Sequence, residues 1–370
     1  MYTSVKVKMR SLLLPLLLGQ YLRGEGAIYY IKPSFTTTCP SQPCETLQYY
    51  LDNIDMTVNQ QKNVTMIFLD GTHIVDFVQG ITITITAPFV KMTGDISSSK
   101  SAAVYCYPYI CELRFYNTST VCIENLVMTF CHIYVNTPWS QSGLKPGPTK
   151  FRLVSVKVES SAEIEGDTIT LNESEAYFEQ VMFIELHLDF YFSNITFITC
   201  TVNNTIYESD TTRVTMENCQ MFDIIMRIDS SSFAFSGVTE FVGGKYEFSP
   251  IISYSNNITL SGNVLFVNNS QNAGGAMALY SSTLSFAAGV NVSFINSSAF
   301  DKGGAIYIEP GITPNMILGS YYVPICFYHL LDCKNNATYN VFFANNSATN
   351  GGDNIYGATL HGLCTESKKV

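Results

Sequence analysis

The chain has 370 residues, of which 46% are apolar and only 14% charged, with a formal net charge of −10. That length can bury a large core, and so few charges suit strands with neighbours on both sides and a buried inner face. The acidity argues against nucleic acid or an anionic membrane as a partner.

Residues 1–26 read as a secretory signal, with a basic start (Lys6, Lys8, Arg10), a short apolar stretch from Leu12 to Leu18, and small residues before a cut near Ala27. Removing it takes the net charge to −13, because four basic residues (the three named and Arg23) leave with Glu25. The stretch is too short to span a bilayer, and no later segment offers a transmembrane span. Residues 27–63 are expected to form an N-terminal cap. Within them Leu47, Tyr50, Leu51 and Ile54 stand at i, i+3, i+4 and i+7, the spacing of an amphipathic helix. The strand Val64–Leu69 and the turn Asp70-Gly71-Thr72-His73 follow. Helix, strand and Gly-Thr turn in this order resemble the entry of pectin-lyase-like β-helices, where the helix plugs the open end of the coil.

Ile81–Ile85, Val154–Glu159 and Leu186–Phe192 alternate as strands, and Val121–Phe130 reads as strand, bend, strand. His187 and Asp189 share the outward face of their strand. The segment 137–149, with three Pro and the only Trp, Trp139, reads as a protruding loop. The acidic run Glu159, Glu163, Glu165, Asp167, Glu173, Glu175 and Glu179 matches no calcium loop and reads as solvated surface.

The last third repeats one pattern three times. Val264-x-Phe266-x-Asn268 leads to Gly274-Gly275, Val292-x-Phe294-x-Asn296 to Gly303-Gly304, and Val341-x-Phe343-x-Asn345 to Gly351-Gly352. The Val-x-Phe pair leaves one face of a strand. Asn tolerates a left-handed bend, and the Gly pair permits a tight bend or close backbone approach. Strand, bend, strand, bend within roughly 25 to 30 residues is one coil of a solenoid. Phe294 to Phe343 corresponds to two coils, or to one coil carrying an insertion that holds Cys326 and Cys333. Asp353-Asn354 departs from the Ala that follows the other Gly pairs, as terminal repeats often do.

Phe-x-Asn-Asn followed by Gly-Gly-Ala-Ile resembles the repeat of the chlamydial polymorphic outer-membrane proteins, over Val264–Gly352. The resemblance implies a right-handed parallel β-helix, here an all-β, single-stranded one spanning 64–354 with its clearest repeats at 257–354. Residues 355–370 are then a C-terminal cap and tail. The chlamydial proteins continue into a membrane barrel that has no counterpart here.

Eleven Asn-x-Ser/Thr sequons occur, at Asn63, Asn117, Asn172, Asn194, Asn203, Asn257, Asn268, Asn291, Asn296, Asn336 and Asn345. For Asn268, Asn296 and Asn345, bend formation is an equal alternative to glycosylation. Eleven Cys in an exported chain favour disulfides. Close spacing nominates Cys39–Cys44, Cys106–Cys111, Cys122–Cys131 and Cys200–Cys219. Cys364 is expected to close on Cys326 or Cys333, leaving one thiol over.

No catalytic set emerges. The Asn-Thr-Asp, Asp-Asp, Gly-His-Gly and Arg-x-Lys signatures of polysaccharide-cutting β-helices are absent. The five His (His73, His132, His187, His329, His361) are scattered, and no metal or cofactor motif is present. The sequence therefore points to a non-catalytic secreted glycoprotein, extracellular or at the cell surface. Its scaffold would serve adhesion or a matrix, with an extracellular protein or glycan surface as partner. A polysaccharide lyase or hydrolase is the alternative. The odd Cys raises a third reading, a piece of a membrane-tethered receptor.

Overall fold

In the computed structural model, the described residues are 27–34, 44–47, 49–50, 63–76, 82–85, 88–95, 102–107, 111–116, 118–129, 131–136, 148–160, 168–243, 250–280, 282–287, 289–309 and 340–357. The signal segment, most of the expected helix, Trp139, Asn117, Asn336, Cys39, Cys326, Cys333, Cys364, His329, His361 and the tail lie outside them. So do the side chains of Cys111, Cys131 and Asn257.

Short strands with alternating burial dominate. Val64–Phe68 buries Val64, Met66 and Phe68, and Thr168–Asn172 buries Ile169 and Leu171. Alternation of this kind gives each strand one core face and one outer face. The strands assort into three long parallel sheets of twelve, eleven and eleven strands, and over most of the chain every third strand joins the same sheet. That order is a three-sided coil, the arrangement of a parallel β-helix, and we call its sides the first, second and third faces in chain order. One continuous apolar core runs from Ile31 to Ile308.

The middle coils are tighter than the repeats suggest. Glu175, Asn194, Arg213 and Ser232 are successive register partners, each 19 residues from the next. Residues in the left-handed region turn the chain at each corner. Asn125, Ser155, Gln180, Thr199 and Asn218 turn the first face into the second; Glu185, Asn204, Asp223, Asn268, Asn296 and Asn345 turn the second into the third; Glu173, Phe192, Thr211, Ser230 and Ser255 lead back to the first. Every one of these corners except Asn345 is tied to the next coil, for example by the Gln180 N–H to the Ile198 carbonyl at 3.0 Å and the Thr199 N–H to the Glu217 carbonyl at 2.9 Å.

The repeat phenylalanines stack as the sequence requires. Phe241, Phe266, Phe294 and Phe343 are register partners on the second face, with ring centroids 4.8, 4.8 and 5.1 Å apart and planes within 10°. Phe294 pairs directly with Phe343, so the 49-residue interval is one coil with an insertion. In lower coils the core aromatics pack edge-on or tilted, as Phe178 does against Phe183 at 5.4 Å and Phe197 at 4.9 Å.

Several expectations need correction. In the third repeat Gly352, not Gly351, takes the left-handed corner, with φ of 69° against 70° at Gly274 and Gly303. Asp353 therefore stands at the second glycine and Asn354 at the alanine. The physical reason is stacking. A Cβ on Gly275 would meet the Gly304 carbonyl and one on Gly304 the Asp353 carbonyl, whereas no described rung covers Asp353. The stack also runs beyond the expected limits. Ile355–Gly357 pairs with Ile306–Ile308, and Ala27–Lys32 pairs with Val64–Phe68. Of the amphipathic helix, Leu47, Tyr49 and Tyr50 are helical, and Leu47 and Tyr50 are buried in the core.

Cys122, Cys200 and Cys219 carry free thiols, so Cys122–Cys131 and Cys200–Cys219 are not bridged. Cys200 and Cys219 lie one coil apart just inside the first corner, where the lower coils place buried Val156 and Val181, and act as small apolar residues. Contact with Cys219, and then burial, hold the Cys200 thiol well above the usual range. Cys122 points outward between Lys91 and Arg152 on neighbouring rungs, covered by them, and donates to Glu124 at 3.1 Å. Burial, with the Glu124 carboxylate beside it, pushes its thiol up to about 12. Cys44 and Cys106 are disulfide-bonded.

Truncating the buried Phe294 removes the middle of the aromatic column. Phe294→Ala is expected to cost about 3–5 kcal/mol, against about 0.5 kcal/mol or less for the outward Ser293→Ala. Urea unfolding of both variants checks the difference; equal costs would contradict the stacked arrangement.

Candidate functional site

The core uses the inward side chains, so any chemistry must lie on the outer faces. His73, in the strand Gly71–Asp76 rather than in a turn, is not available: it is 1% exposed, edge-on to Phe68 at 5.1 Å, with Nε2 2.7 Å from the Leu69 carbonyl. Burial lowers its pKa, as befits a neutral core imidazole. The acidic run is surface, as expected where it is described: Glu159 pairs with Lys157, and Glu179 with Arg152 at 3.3 Å. No group of three or more His, Cys, Asp or Glu able to hold a metal ion occurs among the described residues.

The third face carries the densest set of functional groups. Its outward residues stack in columns because neighbouring strands keep register. In one column Arg114 and Tyr134 are partners, and further up Asp189, Glu208 and Arg227 follow one another. In the next column stand Tyr191, Asp210 and Asp229, then Tyr254 and Tyr280. The lower part is thus acidic with isolated arginines. Arg114 bonds Glu112 at 2.6 Å and lies over the Tyr134 ring at 5.1 Å, and Arg227 bonds Glu208 at 2.8 Å. Asp189 is half-buried beside His187. Burial, then the neighbouring Glu208 carboxylate, raises its pKa, while His187 acts the other way. Two carboxyl groups thus stand one rung apart on an outer face.

The upper part is aromatic. Tyr254 and Tyr280 stack at 4.8 Å and 14°, and Tyr307 and Tyr356 at 5.9 Å and 6°, with the Lys302 ammonium 4.8 Å above the Tyr356 ring. Beside Tyr254 and Tyr280 the corner that carries Gln271, Asn272 and Ala273 rises and encloses a groove of about 450 Å³. Phe300, 68% exposed, stands over it from the next coil. The second repeat has one more residue than the first between its small strand, Ser298–Ala299, and its glycine corner, and Phe300 is thrown outward there.

The expected repeat residues come together: Phe266 and Phe294 in the core with Phe343 partly buried against it, Asn268, Asn296 and Asn345 at one corner, and Gly274 and Gly303 with Gly352 above them. The sequon asparagines Asn194, Asn203, Asn268, Asn291, Asn296 and Asn345 are exposed, while Asn63 and Asn172 are half-buried. Two amide ladders flank the second face: Asn340 donates to Asn291 at 2.8 Å and Asn291 to Asn263 at 2.9 Å, and Asn296 donates to Asn268 at 3.3 Å. Sequence reasoning missed the Asp189–Glu208 contact and the tyrosine groove, because both depend on coil lengths of 19 to 29 residues.

No family model, curated protein or solved structure matches the chain.

The raised pKa of Asp189 makes a signed prediction. The folded chain binds this proton more tightly than the unfolded one, so an ionised Asp189 lowers stability above the ordinary carboxylate range and the penalty vanishes below it. Asp189→Asn should therefore raise the melting temperature near neutral pH and leave it unchanged at a pH of about 3. A gain of equal size at both would show that ionisation is not the cause.

Proposed function

We propose that this chain is a non-catalytic secreted glycoprotein whose right-handed parallel β-helix is a stiff scaffold for adhesion or for a surface or matrix layer. The observation that carries the reading is the unbroken register through eleven coils, which at about 4.8 Å per rung makes a rod roughly 50 Å long. Right-handedness follows from the strong preference of parallel crossovers. A rod of this kind presents long, flat outer faces on which many weak contacts can add. Exposed apolar side chains on those faces and their corners, among them Phe192, Val238, Tyr254, Phe300 and Phe342, support a binding role. The basic-then-apolar leader and the sequons support export and glycosylation. The repeat supports kinship with the polymorphic outer-membrane protein type. Among the described residues no helix is long and apolar enough to cross a membrane.

Purified from a secretory host, the chain is expected to bind cells or extracellular matrix saturably and to release no product from a polysaccharide panel. Absence of binding to cells, matrix, proteins and glycans alike would refute the adhesive role.

One observation favours a polysaccharide lyase or hydrolase instead, namely Asp189 and Glu208 in register on an outer face. On that reading reducing sugar would be released from at least one polysaccharide and lost in Asp189→Asn. Release that persists in this variant would remove the pair from consideration.

A further inference from the structure

Within the adhesive reading, the groove on the upper third face has the chemistry of a specific site. Gln271 is 6% exposed and lines it, and its Oε1 is buried without a hydrogen-bond partner. A buried, unsatisfied acceptor is costly, so it is a reason to look for a missing donor. The remaining wall is apolar and aromatic: Ile252, Tyr254, Tyr280 and Phe300, with the Asn272 amide at the rim. Tyr254 and Tyr280 stack face to face at 4.8 Å, so each covers one face of the other and the pair leaves its ring edges toward the groove. No charged residue lines the groove, and the chain as a whole is acidic. The occupant that fits is flat, uncharged, apolar on one face and rich in hydroxyl donors at its edge.

We propose that this groove binds a neutral saccharide ring of a glycan. The apolar C–H groups of the sugar pack against the edges of Tyr254 and Tyr280 and against Phe300, and a hydroxyl donates to Gln271 Oε1. The aromatic rings supply contact area at low conformational cost, and the single buried acceptor fixes the orientation. An apolar peptide would cover the rings but would leave Gln271 unsatisfied unless it also brought a donor to that point. An acidic glycan would meet the chain's own negative field.

The test uses the full chain and a panel of short neutral oligomers of glucose, mannose, xylose and N-acetylglucosamine, read by saturation-transfer NMR and calorimetry. At least one is expected to bind saturably. Tyr254→Ala and Gln271→Met should each weaken it by about tenfold or more, and Tyr191→Ala, lower on the same face, should leave it unchanged. Tyr254 is 46% exposed, so its variant is expected to melt with the wild type even if the Gln271 variant does not. Binding undiminished by Tyr254→Ala, or no binding of any oligomer, overturns the proposal. If the wild type still adheres to cells or matrix in that case, the groove assignment fails alone; if adhesion is also absent, the scaffold reading fails with it.

Discussion

The fold depends on backbone hydrogen bonds between coils that continue through the corners. A corner residue in the left-handed region costs roughly 1–2 kcal/mol when it carries a side chain, and among the described residues sixteen other than glycine adopt it. They persist because the bend keeps the strands parallel and aims backbone N–H groups at the next coil. Glu173 reaches the Tyr191 carbonyl at 3.0 Å, Asn204 the Phe222 carbonyl at 2.9 Å, and Asn296 the Ala344 carbonyl at 2.9 Å. An unpaired N–H at such a place would be costly, so the corners repeat at one position in each coil. The strands between them stay in register, and the side chains fall into columns.

Those columns divide the work of the molecule. Inside, like lies on like, and the phenylalanine column of the second face is the clearest case. Just inside the corners small residues alternate freely, which is how Cys200 and Cys219 come to stand over Val181 as thiols. Buried asparagines serve the same frame: Asn346 donates to the Phe294 carbonyl at 3.0 Å and accepts from the Ser297 N–H at 2.9 Å. Outside, the backbone makes no demand on side-chain identity. The third face changes from carboxylates and arginines to tyrosines with no change in the strands beneath. Function is therefore free to reside in outer columns and in the corners that rise beside them.

Much of this was legible in the sequence, for reasons that particular residues make plain. Phe266, Phe294 and Phe343 announce a column because each sits two residues after a Val. Asn268, Asn296 and Asn345 announce a corner because asparagine is at home there. The 19-residue coils are silent by comparison. Asn204, Asn218 and Asp223 mark three of their corners, but Gln180, Thr199, Phe192 and Glu185 are residue types that seldom mark a left-handed bend, so the period stays hidden. Without that period Asp189 and Glu208 look unrelated. The glycine of the last repeat was misplaced by one residue because two glycines adjoin, and only the rung beneath distinguishes them. Two of the cysteine pairs, Cys122–Cys131 and Cys200–Cys219, failed for a related cause: nearness in sequence brought Cys200 next to Cys219, but the position calls for a small apolar side chain.

The central claim is that consecutive coils lie parallel and in register. Its most direct test is an NMR measurement of contacts among the selectively labelled rings of Phe266, Phe294 and Phe343, with the flanking backbone protons. The account predicts ring-to-ring contacts from Phe294 to both Phe266 and Phe343, together with the backbone pattern of parallel strands. Close cross-strand Hα–Hα contacts of an antiparallel pair, or no contact among these rings, would contradict it.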